Sequence, residues 1–398
     1  MDEKMSRKKT NSIKISVIIP VYNAGAFLDE CLSSVSRQTL QEIEVICIND
    51  GSTDNSKEIL ERFAKEDKRF IILEQEHSNA GVARNRGLEI AQGEFLAFLD
   101  ADDYFESDTL EKTYKKATSD AEIDVVVFGV NYYHEKKKML SYSELGIMEE
   151  FCPAEDVVTP QQMSDYIFNS FQNWVWNKVF RTSFIHGNDI QFQDVARSND
   201  ALFVCCALST ARKIAILREA LITHRVGQQT NMQANNVNEP DAFMRAYETI
   251  YDRLKTIHGE DLGIYKQSFI NKALLSCRSY VNTVKKDRIV HEYLKHLVVY
   301  KGEKLFHFME HGPDYYYLAD TYQWYKKIYD EVVNGHAADD KAIPQKKKKD
   351  TLYARLLRKM KRIMKSVKQN GLGYTLKRIL FHLHLAKDND TARTNRKK

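Results

Sequence analysis

A chain of 398 residues, 43% hydrophobic and 29% charged, is long enough for one large domain with an appendage or for two domains, and its composition argues against wholesale disorder. The formal charge of +4 conceals an asymmetry: residues 346–398 hold 18 Lys/Arg against 3 Asp, a balance of +15, which leaves −11 for the 345 residues before them. An acidic body with a basic tail argues against a nucleic-acid binder, whose cations would line the folded surface, and gives the tail a partner of its own. No apolar run reaches the roughly 18–20 residues of a membrane-spanning helix. The opening MDEKMSRKKTNSIK, with residues 1–13 a polar tail, lacks the apolar core of a secretory signal. The expected location is therefore cytoplasmic. Cys31, Cys47, Cys152, Cys205, Cys206 and Cys277 include no C-x-x-C pair, which fits reduced, mostly buried thiols rather than a zinc site.

In chain order, strands are predicted at 15–21 (ISVIIPV), 44–49 (EVICIN), 70–73 (FIIL), 95–99 (FLAFL) and 124–128 (DVVVF). Nearly continuous apolar runs of this length suit parallel strands buried on both faces. Helical spacing falls between them, at 26–37, 56–65, 82–92 and 108–116. The alternation predicts an α/β fold with an open, doubly wound, mostly parallel sheet. Ligands of such sheets bind beyond the carboxyl ends of the strands, where this sequence places Tyr22 and Asn23, residues 50–54 and residues 100–103. The stretch 131–240 is less patterned. It holds the aromatic-rich NSFQNWVWNKVFRTSF and a helix-like NDALFVCCALSTARK. Residues 241–335 read as mainly helical and 336–350 as a polar linker. Within 351–398, Leu352, Leu356, Met360, Ile363 and Val367 form the apolar stripe of an amphipathic helix whose other face is basic.

Three motifs carry chemistry. In NDGSTDNS, Asp50 leaves a buried strand, and the following Ser, Thr and Asp residues fit a helix-capping loop. The same Asp50 also fits a strand-end acceptor for a base N–H. In HSNAGVARNRGLEIAQG, Arg84 and Arg86 sit in the first turns of a helix, where acidic residues are preferred. A bound diphosphate or ribose would remove that conflict, with Gly81 and Gly87 permitting close backbone approach. In FLDADD, Asp100 and Asp102 lie two apart, so an extended backbone points both carboxylates to one side. Oxygen-only ligands suit Mg²⁺ or Mn²⁺.

ISVIIPVYNAGAFLDECLSSVSRQT, NDGSTDNS, GVARNRGLEIAQGEFLAFLDADD and WNKVF together resemble the family 2 glycosyltransferases, which have the GT-A nucleotide-sugar fold; the resemblance covers roughly residues 15–231. It implies a GT-A domain over 14–240, with a nucleotide-binding part at 14–130 and an acceptor part at 131–240. It further implies sugar transfer from a nucleoside-diphosphate sugar, usually a UDP-sugar, with inversion at the anomeric carbon. Pro20, Tyr22 and Asp50 would hold the base, Arg84 would lie near the nucleotide, Asp100 would touch the ribose, and Asp102 would bind Mn²⁺ or Mg²⁺. In related enzymes the catalytic base is typically the Asp of a Glu-Asp pair opening a helix after W-N-K. Here RSNDALF offers Asp200, with Asn199 in place of Glu; Asp194 is the next candidate. The competing reading of Asp200 is a residue placed to interact with the helix dipole. Trp176, Asn177, Lys178 and His224 are expected acceptor or phosphate contacts, against a buried role for the tryptophan and a solvated loop for the histidine.

The expected function is metal-dependent synthesis of a surface polysaccharide on a glycan acceptor, lipid-linked because the basic tail 351–398 suggests an anionic membrane surface. The enzyme would then be peripheral on the inner face of the cytoplasmic membrane. Two other readings remain open. A sugar nucleotidyltransferase would need a glycine-rich, Lys/Arg-containing signature near the first strand, and none is present. A decayed adaptor is disfavoured by the intact Asp100/Asp102 pair and favoured by Asn199.

Overall fold

The structure, a computed structural model, describes residues 12–227 and 239–334. Strand β1 (Ile15–Val21) shows why the predicted runs are continuously apolar. Ile18 packs on one face of the sheet with Ile46, Ile48, Leu96 and Phe98, while Val17, Ile19 and Val21 pack on the other with Val45, Cys47 and Ala97. Alternate residues point to opposite faces, and both faces are covered, so neither parity can be polar. Helices α1 (Leu28–Ser36), α2 (Ser56–Glu66) and α3 (Ala80–Ile90) alternate with β2 (Ile43–Asp50), β3 (Phe70–Gln75) and β4 (Phe95–Phe98). Then follow β5 (Tyr104–Phe105), α4 (Thr109–Ala117), the long β6 (Ile123–His134), its hairpin partner β7 (Met139–Ser143), β8 (Val157–Val158) and α5 (Ile167–Ser170). Next come β9 (Lys178–Arg181), α6 (Thr182–Gly187), α7 (Asn199–Thr210) and β10 (Lys213–Val226).

The sheet order is β3-β2-β1-β4-β9-β6-β10-β5, with β7 on β6 and β8 on β10. β1 to β4 pair parallel, as do β6 and β10, while β9 runs antiparallel between β4 and β6. By paired length the sheet is mostly parallel. Strand order reverses at β1, which has β2 on one side and β4 on the other. That switch point is where an open α/β sheet leaves a crevice at the strand ends.

Helices α8 (Ala242–His258), α9 (Lys266–Thr283), α10 (Arg288–Phe306) and α11 (Ala319–Asn334) form the helical C-terminal region. Phe243, Tyr247, Phe269 and Cys277 share one apolar cluster with Phe168, Phe203 and Cys205, and the described residues belong to a single compact unit. The helices are thus a further layer on the sheet's core. Among the described residues no helix is long and apolar enough to cross a membrane. All six cysteines are free and buried. The linker 336–350, the tail 351–398 and residues 1–11 lie outside the described residues.

Candidate active site

The crevice is built from three strand ends. At the first two, the polar residues of NDGSTDNS bind the loop after β1. Thr53 N donates to Asn23 Oδ1 (2.8 Å), Asn23 N to Ser52 Oγ (3.0 Å), Ala24 N to Ser56 Oγ (3.0 Å) and Gly25 N to Asp54 Oδ2 (2.9 Å). These side chains hold the two loops together, and Asp50 remains as the carboxylate at the base of the crevice. It is 3% exposed. Its Oδ1 accepts from Gln75 Nε2 (2.6 Å) and Ser78 N (2.9 Å), and its Oδ2 lies 3.1 Å from His77 Nδ1. Tyr22, 46% exposed, stacks on the His77 ring with centroids 3.8 Å apart and planes at 15°. Pro20 lies beneath in β1, paired with Ile48. A base entering beside Asp50 would have to share or displace the His77 contact. Sequence reasoning missed His77, although its position just past the end of β3 is the signal that marks the other strand-end residues.

At the third strand end, Asp100, Asp102 and Asp103 bring carboxylate oxygens within 4.8 Å of one another. Their partners differ. Asp100 Oδ1 accepts from Arg84 (2.6 Å). Asp103 is fully buried, accepts from Arg225 N (2.9 Å) and lies 2.8 Å from His224 Nδ1. No described side chain is seated on Asp102 in this way, and its carboxyl is raised to about 7 by burial and by the charges of Asp103 and Asp100. Burial alone would lower His224, but the charge and hydrogen bond of Asp103, with Asp102 and Asp100, raise it to about 9. The cluster is therefore an oxygen-only donor set with one carboxylate left for a ligand, a set that fits a hard divalent cation.

Helix α3 links this cluster to the start of α7. Asn79 caps α3 by accepting from Gly81 N and Val82 N. Gly81 is required because a Cβ there would meet Gln193 O at 2.3 Å and Asn199 Cβ at 2.9 Å. Arg84 is buried between the two sites, donating to Asp100 (2.6 Å) and to Asn199 Oδ1 (2.9 Å), with its guanidinium over Phe192. Its neighbour Arg86 is used locally, on the carbonyl of Glu74. Ser198, immediately before α7, adopts a left-handed φ of 55° and is anchored by its hydroxyl to Tyr280 of α9 (2.7 Å). Such backbone strain persists only where its surroundings impose it. Asp200 follows in the first turn. Burial raises its carboxyl to about 6, with Arg84 opposing the rise and Asp100 adding to it. The exposed Asp194 is bound instead by Asn79 Nδ2 (2.6 Å).

Residues 16–185 match the glycosyl transferase family 2 profile. GlyG of Streptococcus pneumoniae serotype 4 is 31% identical over 217 residues, 53% of this chain and 70% of that protein. The chain belongs to glycosyl transferase family 2. A poly(ribitol-phosphate) beta-glucosyltransferase of Bacillus spizizenii is 29% identical over 61% of this chain but only 37% of its own length. Among the curated relatives the matched share falls as low as 30%. The crystal structure of S. aureus TarS 1–349 with UDP-GlcNAc has a TM-score of 0.55 at 21% identity, covering 81% of this chain and 92% of that one. That likeness establishes the GT-A fold.

Three of the expected contacts of this family 2 glycosyltransferase are corrected by the structure. Lys178 is fully buried and donates to Gln172 O (2.9 Å), Trp174 O (2.7 Å) and Asn177 Oδ1 (2.8 Å). Burial lowers it to about 7, with the charge of Asp200 opposing the fall. Asn177 is equally buried and donates to Phe128 O and Gly146 O. Trp176 is 4% exposed and stacks on both Trp174 (4.7 Å) and His224 (4.9 Å), so it offers no open face to a sugar. W-N-K holds a loop whose ring stack ends on His224, and His224 in turn contacts Asp103. The structure brings His224 to the acidic cluster, as a partner of that carboxylate rather than a loop residue in solvent.

Proposed function

We propose that this glycosyltransferase transfers a sugar from a nucleoside-diphosphate sugar, a UDP-sugar, to a hydroxyl of a glycan acceptor, with inversion at the anomeric carbon. The observation that carries the reading is the pairing of roles across Arg84. On one side Asp102 is left for a ligand; on the other Asp200 is tuned to the range of a working general base. The fold neighbour bound to UDP-GlcNAc supports a uridine donor.

In this scheme Tyr22 and Asp50 hold the base, and Asp100, fixed by Arg84, meets the ribose. Asp102 would hold Mn²⁺ or Mg²⁺, which when bound would offset the charge of the departing diphosphate. Above pH 6 the ionised Asp200 accepts the proton of the acceptor hydroxyl. The acceptor oxygen bonds to the anomeric carbon as the bond to the β-phosphate oxygen breaks, and the bonding pair leaves with the diphosphate. Attack from the face opposite the leaving group inverts the configuration. Asn199 keeps the Arg84 contact through its amide oxygen, so replacing Glu does not dismantle the site.

The acceptor we propose is a lipid-linked glycan of a surface polymer, in keeping with the poly(ribitol-phosphate) glucosyltransferase among the relatives. The basic amphipathic pattern of residues 351–398 supports a peripheral position on the inner face of the cytoplasmic membrane. The experiment is a nucleotide-sugar panel with Mn²⁺, read for nucleoside diphosphate. Release stimulated by a glycan acceptor supports transfer; pyrophosphate release from a sugar phosphate and a triphosphate would point to a nucleotidyltransferase instead.

A further inference from the structure

The hairpin joining β6 to β7 has a composition the transfer reaction does not use. Its turn exposes Lys136, Lys137 and Lys138 in succession. Directly after them Met139, Leu140, Tyr142 and Leu145 are 45–55% exposed. Four of the large apolar side chains that this protein leaves in water thus fall within seven residues. Glu135 pairs with Arg225 and Lys138, which leaves Lys136 and Lys137 as the cations of the turn against Glu144 alone. Scattered apolar residues on a surface need no explanation, whereas Leu140 and Tyr142 on one face of β7, with Met139 at the mouth of a cationic turn, do.

The hairpin's position gives it meaning. In β6, Tyr132 pairs with His224, Tyr133 with Arg225 and His134 with Val226. His224 contacts Asp103, so the hairpin leaves the sheet at the end that carries the acidic cluster. Lysines favour an anionic partner, and half-exposed Met, Leu and Tyr side chains favour one with an apolar interior just below its surface. An anionic bilayer combines both properties.

We propose that residues 135–145 dock on an anionic lipid surface, with the lysines at the headgroup phosphates and Met139, Leu140 and Tyr142 in the interfacial layer. This turns the rim of the crevice toward the membrane. The contact is separate from any made by residues 351–398, and it can be measured without turnover, so its failure leaves the transfer reading untouched.

The test uses the full chain carrying Met139→Cys, labelled with an environment-sensitive fluorophore. The six native cysteines are buried, so the folded protein is labelled at position 139. Vesicles containing phosphatidylserine should pellet the protein and shift the emission to the blue, and neutral vesicles should do neither. Lys136→Ser with Lys137→Ser should lower the partition coefficient roughly fivefold for each lysine removed. Pelleting without a spectral shift would overturn the proposal, because docking would then belong to another segment. So would a shift that grows with protein concentration in the absence of vesicles, which would assign the patch to a second copy. No pelleting at all would overturn it equally.

Discussion

Replacing Asp200 with Asn removes a charge and a proton acceptor while nearly preserving shape at the start of α7. The folded protein holds this carboxyl's proton up to about pH 6, whereas an unfolded chain releases it near 3.8. Stability therefore falls as pH rises through that window, and the full penalty is present above pH 6. A displacement of about two pKa units corresponds to ~3 kcal/mol, and because Asp200 is only partly buried the expected effect is ~1–3 kcal/mol. At pH 7.5 the Asn variant should be more stable than the parent by that amount in urea unfolding, and the difference should shrink toward pH 4. Its donor affinity should be nearly unchanged while transfer falls by roughly 10²–10⁴. A residue present only to interact with the helix dipole gives the opposite pattern, a loss of ~0.3–1 kcal/mol with normal turnover. Observing that pattern would refute the assignment and turn attention to Asp194.

Asp102→Ala should abolish metal-dependent donor binding, measured by calorimetry with and without chelator. Its stability should hold or rise, because one of three crowded carboxylates is removed; full activity in chelator would contradict the metal assignment. The profile of kcat/KM against pH should show an acid limb near 6, from Asp200 in the free enzyme. Asn199→Glu, which adds a carboxylate beside it, should move that limb upward, and an unmoved limb would show that another group titrates. Lys178 holds its proton only to about pH 7 in the fold, against 10.5 when unfolded, so the parent gains stability as pH rises between those values. Lys178→Met should lose a slope of up to ~1.4 kcal/mol per pH unit there, measured by denaturation at pH 7.5 and 9; parallel curves for parent and variant would mean the lysine is not so perturbed.

Much of the stretch up to residue 130 was legible because burial on both faces writes itself into the sequence as unbroken apolar runs. ISVIIPV and EVICIN can be strands of only one kind, and the residues after them fall at the crevice by the logic of the sheet. Residues 131–240 resisted reading for the converse reason. β9 opens on a fully buried lysine just after a buried asparagine, where polarity suggests solvent or ligand and internal hydrogen bonds supply the real partners. β10 carries Arg218 and Glu219 across register shifts in its pairing with β6, which breaks the alternation that would have announced a strand. The Asp103–His224 contact joins residues 121 apart, and a lone histidine in a sequence does not disclose such a partner. His77 carried a legible signal, its place just past the end of β3, but its contacts with Tyr22 and Asp50 emerge only in the fold.

The most direct test of the transfer account combines donor turnover with the stereochemistry of the product. Full-length protein is incubated with the best UDP-sugar, Mn²⁺ and a glycan acceptor, and NMR of the product is compared with parallel reactions of the Asp102→Ala and Asp200→Asn variants. The expected result is UDP release coupled to a new glycosidic bond of configuration opposite to the donor's, absent with Asp102→Ala and slowed by roughly 10²–10⁴ with Asp200→Asn. Retained configuration, or equal turnover by parent and Asp200→Asn, would contradict it.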